Sequence, residues 1–127
     1  MSMLQTSKAF SSFSVKNIEE AKAFYESIGL KVKLGEMGVL ELIFDGAENI
    51  MLYPKDNHEP ASFTVLNFPV ENIDAAVDEL VSNGVKFEHY DSEHIKTDDK
   101  GISRGEEGPK IAWFKDPSGN ILSVLEV

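Results

Sequence analysis

Two stretches of the chain place apolar residues at helical spacing. These residues are Ile18, Ala21, Phe24, Tyr25 and Ile28 in the first stretch, and Ile73, Ala76, Val77, Leu80 and Val81 in the second. Each pattern predicts an amphipathic helix of about three turns with one buried face. Asn17 and Asn72 stand just before these helices, where asparagine is a good N-cap. Gly29 and Gly84 follow them, where a left-handed C-cap is needed.

The two helical stretches belong to a longer internal repeat. Residues 13–32 align with residues 68–87 at a constant offset of 55, without a gap, and eight of the 20 aligned pairs are identical. Such a repeat indicates two copies of one supersecondary unit, and therefore a pseudo-symmetric architecture.

Short apolar runs predict strands around each helix. They cover residues 13–15, 30–34, 39–44 and 49–53 in the first half, and residues 65–70, 85–89, 110–115 and 120–125 in the second. Each half is therefore β-α-β-β-β. Because four strands and one helix cannot close a core alone, the two halves must pack together. We expect one α+β domain over residues 1–127, with modules at about 8–54 and 61–127 and a linker at about 54–60.

A polar stretch from about residue 90 to 109 distinguishes the second half. It contains three glycines and the acidic pair Glu106-Glu107. Loops of this length inside compact domains are usually functional or mobile. The stretch either covers a pocket or is a solvated surface excursion, and the sequence leaves both interpretations open.

Composition narrows the range of partners. The 127 residues carry a formal net charge of −10, which disfavours nucleic acid and anionic membranes and weakly favours a cationic ligand. There is no cysteine, so disulfides, thiolate metal sites and thiol nucleophiles are excluded. No apolar run approaches the roughly 18 residues of a membrane helix. We expect a cytoplasmic protein.

Two motifs resemble those of a known superfamily. FYESIGLKV ends the first helix, and WFKDPSGNILSVLE forms the last hairpin. Together with the paired βαβββ modules, they resemble the vicinal-oxygen-chelate superfamily, which includes glyoxalase I, extradiol dioxygenases, and fosfomycin- and bleomycin-resistance proteins. The resemblance covers essentially the whole chain. It implies a cupped, eight-stranded sheet around one central site, and it implies a homodimer.

In the enzymes of this superfamily, the central site holds a divalent metal on His and Glu side chains. The resemblance places the four ligand positions on the first and last strands of each half, here at Phe10, Met51, Val65 and Ser123. Phe and Val have no lone pair to donate, Met offers only a soft thioether, and Ser offers a weak neutral oxygen. We therefore expect no metal and no other cofactor.

Other residues could build a site. His89 and His94 lie among acidic residues around the long loop, but exposed polar side chains explain that cluster better, and His58 falls in the linker. Glu41 interrupts an apolar strand. We predict that it points outward, to water and helix, because Leu40, Leu42 and Phe44 have the opposite parity; a carboxylate in the cup is the alternative. Ser123 has no recognisable catalytic partners.

The remaining signal is an aromatic and apolar surface of the kind that binds small molecules. We expect Phe10, Tyr53 and Trp113 to lie on strands that line the cup, with Met51 sharing the parity of Tyr53. Asn67 shares the parity of Val65 and would add a polar contact. The predicted ligand-binding set is Phe10, Met51, Tyr53, Val65, Asn67, Trp113 and Ser123. These side chains could instead fill the cup as core.

Three hypotheses follow. We favour a metal-free small-molecule-binding protein similar to the bleomycin-resistance proteins, which sequester a drug as dimers, and not an enzyme. The second is a glyoxalase- or dioxygenase-like enzyme with a non-standard site, for example a lyase or isomerase that uses Glu41, Tyr53 or a loop residue. The third is a dimeric interaction module whose core is closed.

Overall fold

The chain forms two compact units, Met1–His58 and Glu59–Val127, in a computed structural model that describes residues 3–105 and 108–127. The boundary between the units falls inside the predicted linker. The predicted acidic pair Glu106-Glu107 lies outside the described residues.

Unit 1 has one helix and one four-stranded sheet. Its elements are β1 (Ser12–Val15), α1 (Ile18–Ser27), β2 (Lys31–Leu34), β3 (Leu40–Ile43) and β4 (Ile50–Pro54). The strand order is β1-β4-β3-β2, with β1 parallel to β4 and the other pairs antiparallel. The alternating apolar residues of these strands form the core under α1, with Ala21 and Tyr25 buried on the helix and Phe13, Val15, Leu40, Leu42 and Leu52 buried on the sheet.

Unit 2 repeats this arrangement. Its elements are β5 (Thr64–Val70), α2 (Ile73–Ser82), β6 (Ile102–Ser103), β7 (Ile111–Lys115) and β8 (Ile121–Glu126). The strand order is β5-β8-β7-β6, with β5 parallel to β8. The α+β class with two βαβββ modules is therefore confirmed. The buried face of α2 packs on its sheet through Ile73, Val77, Leu80, Ala112, Phe114, Leu122 and Val124.

Both helix caps form as predicted. The side chain of Asn17 accepts a hydrogen bond from the Glu20 backbone N–H, and that of Asn72 accepts one from the Ala75 N–H, each at 3.0 Å. Gly29 and Gly84 adopt φ of 100° and 96°, the left-handed conformation that glycine tolerates best. Polar caps and glycine stops thus set the length of each helix.

The edge strand of unit 2 differs from the prediction. The prediction of a strand over residues 85–89 is wrong, because only Phe87 pairs there, in an isolated bridge with Phe114. Two positions earlier on β7, Ala112 pairs with Ile102 instead. The edge is therefore split, and residues 89–101 leave the sheet between its two parts; we call this segment the excursion. Periodicity could not reveal this, because the two parts pair with one strand across a polar interruption.

Candidate functional site

Three predicted site residues form one row across the sheet of unit 2. Asn67 on β5 is in register with Ser123 on β8, and Ser123 is in register with Trp113 on β7. The neighbours of Trp113 and Ser123 along β7 and β8 are buried in the core under α2, so the alternation of side chains puts this row on the opposite side. We call that side the far face of unit 2.

The row is held by a side-chain hydrogen bond. The Ser123 hydroxyl donates to Oδ1 of Asn67 at 2.5 Å, and Ser123 is fully buried whereas Asn67 is exposed. The bond uses the amide oxygen of Asn67, so the amide nitrogen is the group of this side chain that could donate to a ligand. A ligand on this face would meet the ring of Trp113 and the amide of Asn67 on two strands that flank β8.

Tyr90 adds a second aromatic ring that sequence reasoning did not include. Its ring meets that of Trp113 edge-on, with centroids 5.5 Å apart and planes at 82°. Next to it, the Lys115 ammonium lies 3.4 Å from the Glu88 carboxylate. We call Tyr90 and Trp113 the aromatic corner. Tyr90 lies 23 positions before Trp113 in the chain, and only the split edge strand brings the two together.

The end of the excursion is fixed to α2 by a charge cluster. Lys100 contacts Asp74 at 3.1 Å and Asp78 at 3.0 Å, while Arg104 contacts Asp74 at 2.7 Å and Asp98 at 2.8 Å. Hydrogen bonds from Arg104 and Lys100 lower the pKa of Asp74. Desolvation raises the pKa of Asp98, but the bond from Arg104 and two backbone N–H groups outweigh it, so the net pKa is lowered.

Met51 and Tyr53 share a face of β4 in unit 1, as their parity predicts. Met51 is in register with Glu41 on β3, while Leu40 and Leu42 are fully buried on the α1 side. The prediction that Glu41 points to the helix side is therefore wrong: its carboxylate lies on the same side as Met51. It accepts a hydrogen bond from the side-chain amide of Asn49 at 2.6 Å. The buried neighbours have opposite parity because they face the helix.

A hydroxyl–imidazole pair lies at the end of the same face. Ser14 is in register with Tyr53, and its Oγ lies 2.6 Å from Nδ1 of His58. Sequence reasoning treated His58 as a linker residue. No spacing signal could have found this pair, because 44 positions separate its members and the parallel pairing of β1 with β4 brings them together.

Phe10 does not lie on a strand as predicted, whereas Val65 lies on β5 as predicted but at an irregularity of the strand. Phe10 precedes β1 and is 64% exposed, so its assignment to a strand is wrong. Val65 lies at a bulge, because Thr64 pairs with Ile121 and Leu66 with Leu122. Strict alternation fails at a bulge. The parity argument that put Val65 and Asn67 on one face therefore does not hold.

The four positions implied for a metal do not fit one. Phe10, Met51, Val65 and Ser123 supply no imidazole or carboxylate, and divalent ions in proteins require such donors. Across residues 3–105 and 108–127, no group of three or more His, Cys, Asp or Glu side chains is arranged to hold a metal ion. The Glu41 carboxylate lies opposite Met51 on the neighbouring strand, and it is paired with Asn49.

Two surface grooves flank the excursion, away from the row. One of about 590 Å³ runs along α2 and is lined by Val77, Val81, Val85, Phe87, His89 and Lys100, among others. The other, of about 510 Å³, is lined by His94, Thr97, Ile102 and Arg104, among others. Neither is lined by Asn67, Trp113 or Ser123, so both are separate from the far face.

The paired βαβββ units and their sheet order define a class of proteins, and comparison with known proteins identifies the family. The model of the Glyoxalase/Bleomycin resistance protein/Dioxygenase superfamily matches residues 9–124. The chain belongs to this superfamily. No curated protein matches the chain. Neither helix in the described ranges is long and apolar enough to cross a membrane.

Solved structures share the fold over nearly the whole chain. A superfamily member from Sphaerobacter thermophilus is 21% identical, with a TM-score of 0.72, and covers 97% of this chain and 99% of its own. TnmS3, an antibiotic-binding protein from Streptomyces sp. CB03234, is 23% identical, with a TM-score of 0.68 and 95% coverage of each chain. A bleomycin-binding protein complexed with bleomycin is 18% identical, with a TM-score of 0.71 and coverage of 96% and 99%.

Proposed function

We propose that this protein binds a small, planar organic molecule on the far face of unit 2, without a metal. The observation that carries the proposal is the row of Asn67, Ser123 and Trp113, closed at one end by Tyr90. Aromatic rings with a few oriented polar groups are typical of small-molecule sites. Two proteins that share the fold are named as binding an antibiotic and bleomycin, which supports the same class of function.

The charge of the protein favours a cationic ligand. The net charge of −10 attracts cations, and the faces of Trp and Tyr rings do so at short range. The test is a titration with ethidium, a planar aromatic cation, against 8-anilino-1-naphthalenesulfonate, a planar aromatic anion. Trp113 is the only tryptophan, so its fluorescence reports on this face directly. We expect saturable quenching by ethidium, at concentrations where the anion gives less, and measurable binding of bleomycin.

Variants locate the site. Trp113→Leu should reduce ethidium affinity measured by calorimetry by about tenfold, since loss of one aromatic contact costs about 1 kcal/mol or more. Phe24→Leu is the matched control, because Phe24 is also a half-buried aromatic residue but lies on α1. Equal affinity in the two variants, or no saturable binding of any of the three probes, would refute the proposal.

A second candidate function is metal-independent acid–base catalysis on unit 1. The observation that favours it is the position of Glu41 beside Met51, on the side of the sheet that carries Tyr53 and the Ser14–His58 pair. A positioned carboxylate can abstract a proton next to a carbonyl. The hemithioacetal of methylglyoxal and glutathione is the probe, with chelator-treated protein. Turnover that Glu41→Gln abolishes would support this function, and no turnover by the unaltered protein would remove it.

We also propose that the protein acts as a cytoplasmic homodimer. Its N-terminal segment exposes large apolar side chains, with Met3 89%, Leu4 83% and Phe10 64% exposed. Such a surface favours burial against a second copy. Light scattering after size-exclusion chromatography should give twice the 14.1 kDa chain mass, and Phe10→Ser should lower it. A single-chain mass for the unaltered protein would contradict the proposal.

A further inference from the structure

The position of Tyr90 depends on Thr97. The backbone N–H of Tyr90 donates to Oγ1 of Thr97 at 2.9 Å, and the Thr97 N–H donates to the Tyr90 carbonyl at 2.9 Å. The Thr97 hydroxyl lies 3.3 Å from the same carbonyl. These contacts tie the start of the excursion to its later part, so Tyr90 moves with Thr97.

Asp98, the next residue, organises the turn that returns the excursion to the sheet. Its Oδ1 accepts backbone N–H bonds from Lys100 and Ile102, each at 2.9 Å. Its Oδ2 accepts from Nε of Arg104 at 2.8 Å. Gly101 closes the base of the turn against Phe87, where a Cβ atom would come within 2.9 Å of the Phe87 Cβ. The turn is therefore built around one carboxylate.

Arg104 connects that carboxylate to α2. Its Nε contacts Asp98 while its Nη2 contacts Asp74, so one planar guanidinium bridges two carboxylates. The guanidinium reaches the two carboxylates through separate N–H groups of one rigid plane, whereas a lysine would have to bring a single ammonium to both. The contacts thus run from α2 through Arg104, Asp98 and Thr97 to Tyr90, and across the sheet to Trp113.

We infer that Asp98 and Arg104 are positioning residues that hold Tyr90 against Trp113. Through their contact with α2 they set the place of a ring that borders the far face of unit 2. Without the bridge, Tyr90 keeps its bonds to Thr97 and Lys100 keeps its contacts with Asp74 and Asp78, but Asp98 loses its own link to α2. The role of Asp98 and Arg104 in ligand binding rests on the proposed function. Their effect on Trp113 does not, and it can be measured without any ligand.

The test compares the fluorescence of Trp113 in full-length variants. Tyr90→Ala gives the reference signal for loss of the aromatic contact, in emission wavelength and in quenching by acrylamide. Arg104→Gln and Asp98→Asn should shift both quantities in the same direction as Tyr90→Ala, and Arg104→Lys should shift them less. Lys22→Gln is the matched control. It breaks the exposed Lys22–Glu26 ion pair of α1 in unit 1, and it should leave the Trp113 signals unchanged.

The ligand readout is the affinity for ethidium, which Arg104→Gln should lower by about two- to tenfold, the range expected for loss of one aromatic contact. Unchanged Trp113 emission and quenching in Arg104→Gln would overturn the inference, as would a Tyr90→Ala signal equal to that of the unaltered protein. If the Trp113 signals shift as expected but none of the probes binds, the positioning role stands and the proposed function fails.

Discussion

The turn between β7 and β8 offers a sharp test of how one carboxylate holds a hairpin. Asp116 is only 5% exposed, and it accepts hydrogen bonds from the Ser118 N–H, the Asn120 N–H and the Asn120 side-chain amide, each at 2.9 Å. Asn120 is itself 2% exposed, so its two donors have little access to water if Asp116 is truncated. Asp116→Ala therefore removes the carboxylate that accepts from two buried donors of Asn120.

The magnitude follows from those two donors. Hydrogen bonds to charged groups contribute about 1.5–3 kcal/mol each, and an unsatisfied buried donor costs about 1–3 kcal/mol. The Ser118 N–H is half-buried and can bind water. We expect Asp116→Ala to lower the free energy of unfolding by about 3 kcal/mol, at the lower end for two bonds. The melting temperature should fall by about 10 °C.

The corresponding turn of unit 1 supplies the control. Asp45 starts the equivalent turn between β3 and β4 of unit 1 but is exposed, so Asp45→Ala should change stability by less than about 0.5 kcal/mol. Urea unfolding is followed by Trp113 fluorescence and by far-ultraviolet circular dichroism, which must coincide for a two-state analysis. If the loss of free energy of unfolding in Asp116→Ala is within about 1 kcal/mol of that in Asp45→Ala, the reasoning is refuted, because the buried hydrogen bonds to Asp116 would then contribute too little.

Three further predictions follow from other contacts. Asn72→Ala removes the α2 cap and should cost about 1 kcal/mol in urea unfolding, whereas Asn72→Ser should restore most of it. Phe114→Ala, in the fully buried core of unit 2, should cost about 3–5 kcal/mol, and a value near 1 would contradict its burial. The pKa values of Asp74 and Asp98 are lowered in the fold. Their ionised forms therefore add fully to the free energy of unfolding above about pH 4, and this contribution is lost at more acidic pH as the two carboxylates protonate. The stability difference between the unaltered protein and Arg104→Gln should therefore shrink between about pH 4 and 2 in urea unfolding, and a constant difference would argue against the cluster.

The family match over residues 9–124 places the protein in its superfamily, and membership alone does not assign a function. The implied ligand positions carry Phe10, Met51, Val65 and Ser123, which cannot hold a divalent ion as a set. Function therefore has to be argued from the sites on the two sheets. Unit 2 offers an aromatic and amide surface, and unit 1 offers Glu41 with a hydroxyl–imidazole pair. The proposed experiments separate these two possibilities.

The sequence by itself determined the elements that repeat and the ends of the helices. Periodicity, two asparagine caps and two glycines are local signals, and a local signal is enough where neighbouring residues decide the conformation. Apolar runs then predicted four strands and one helix in each unit, with the edge strand of unit 2 misplaced at residues 85–89, and the parity of β4 put Met51 and Tyr53 on one face.

Tertiary structure decided everything that depends on which strand pairs with which. Parallel pairing brought Asn67 to Ser123 and Ser14 close to His58, and the split edge strand brought Tyr90 to Trp113. Parity alone also misassigned Glu41, because it cannot tell which side of a sheet the helix covers. These contacts join residues far apart in the chain, and their geometry is set by hydrogen-bond register, which a one-dimensional pattern does not contain.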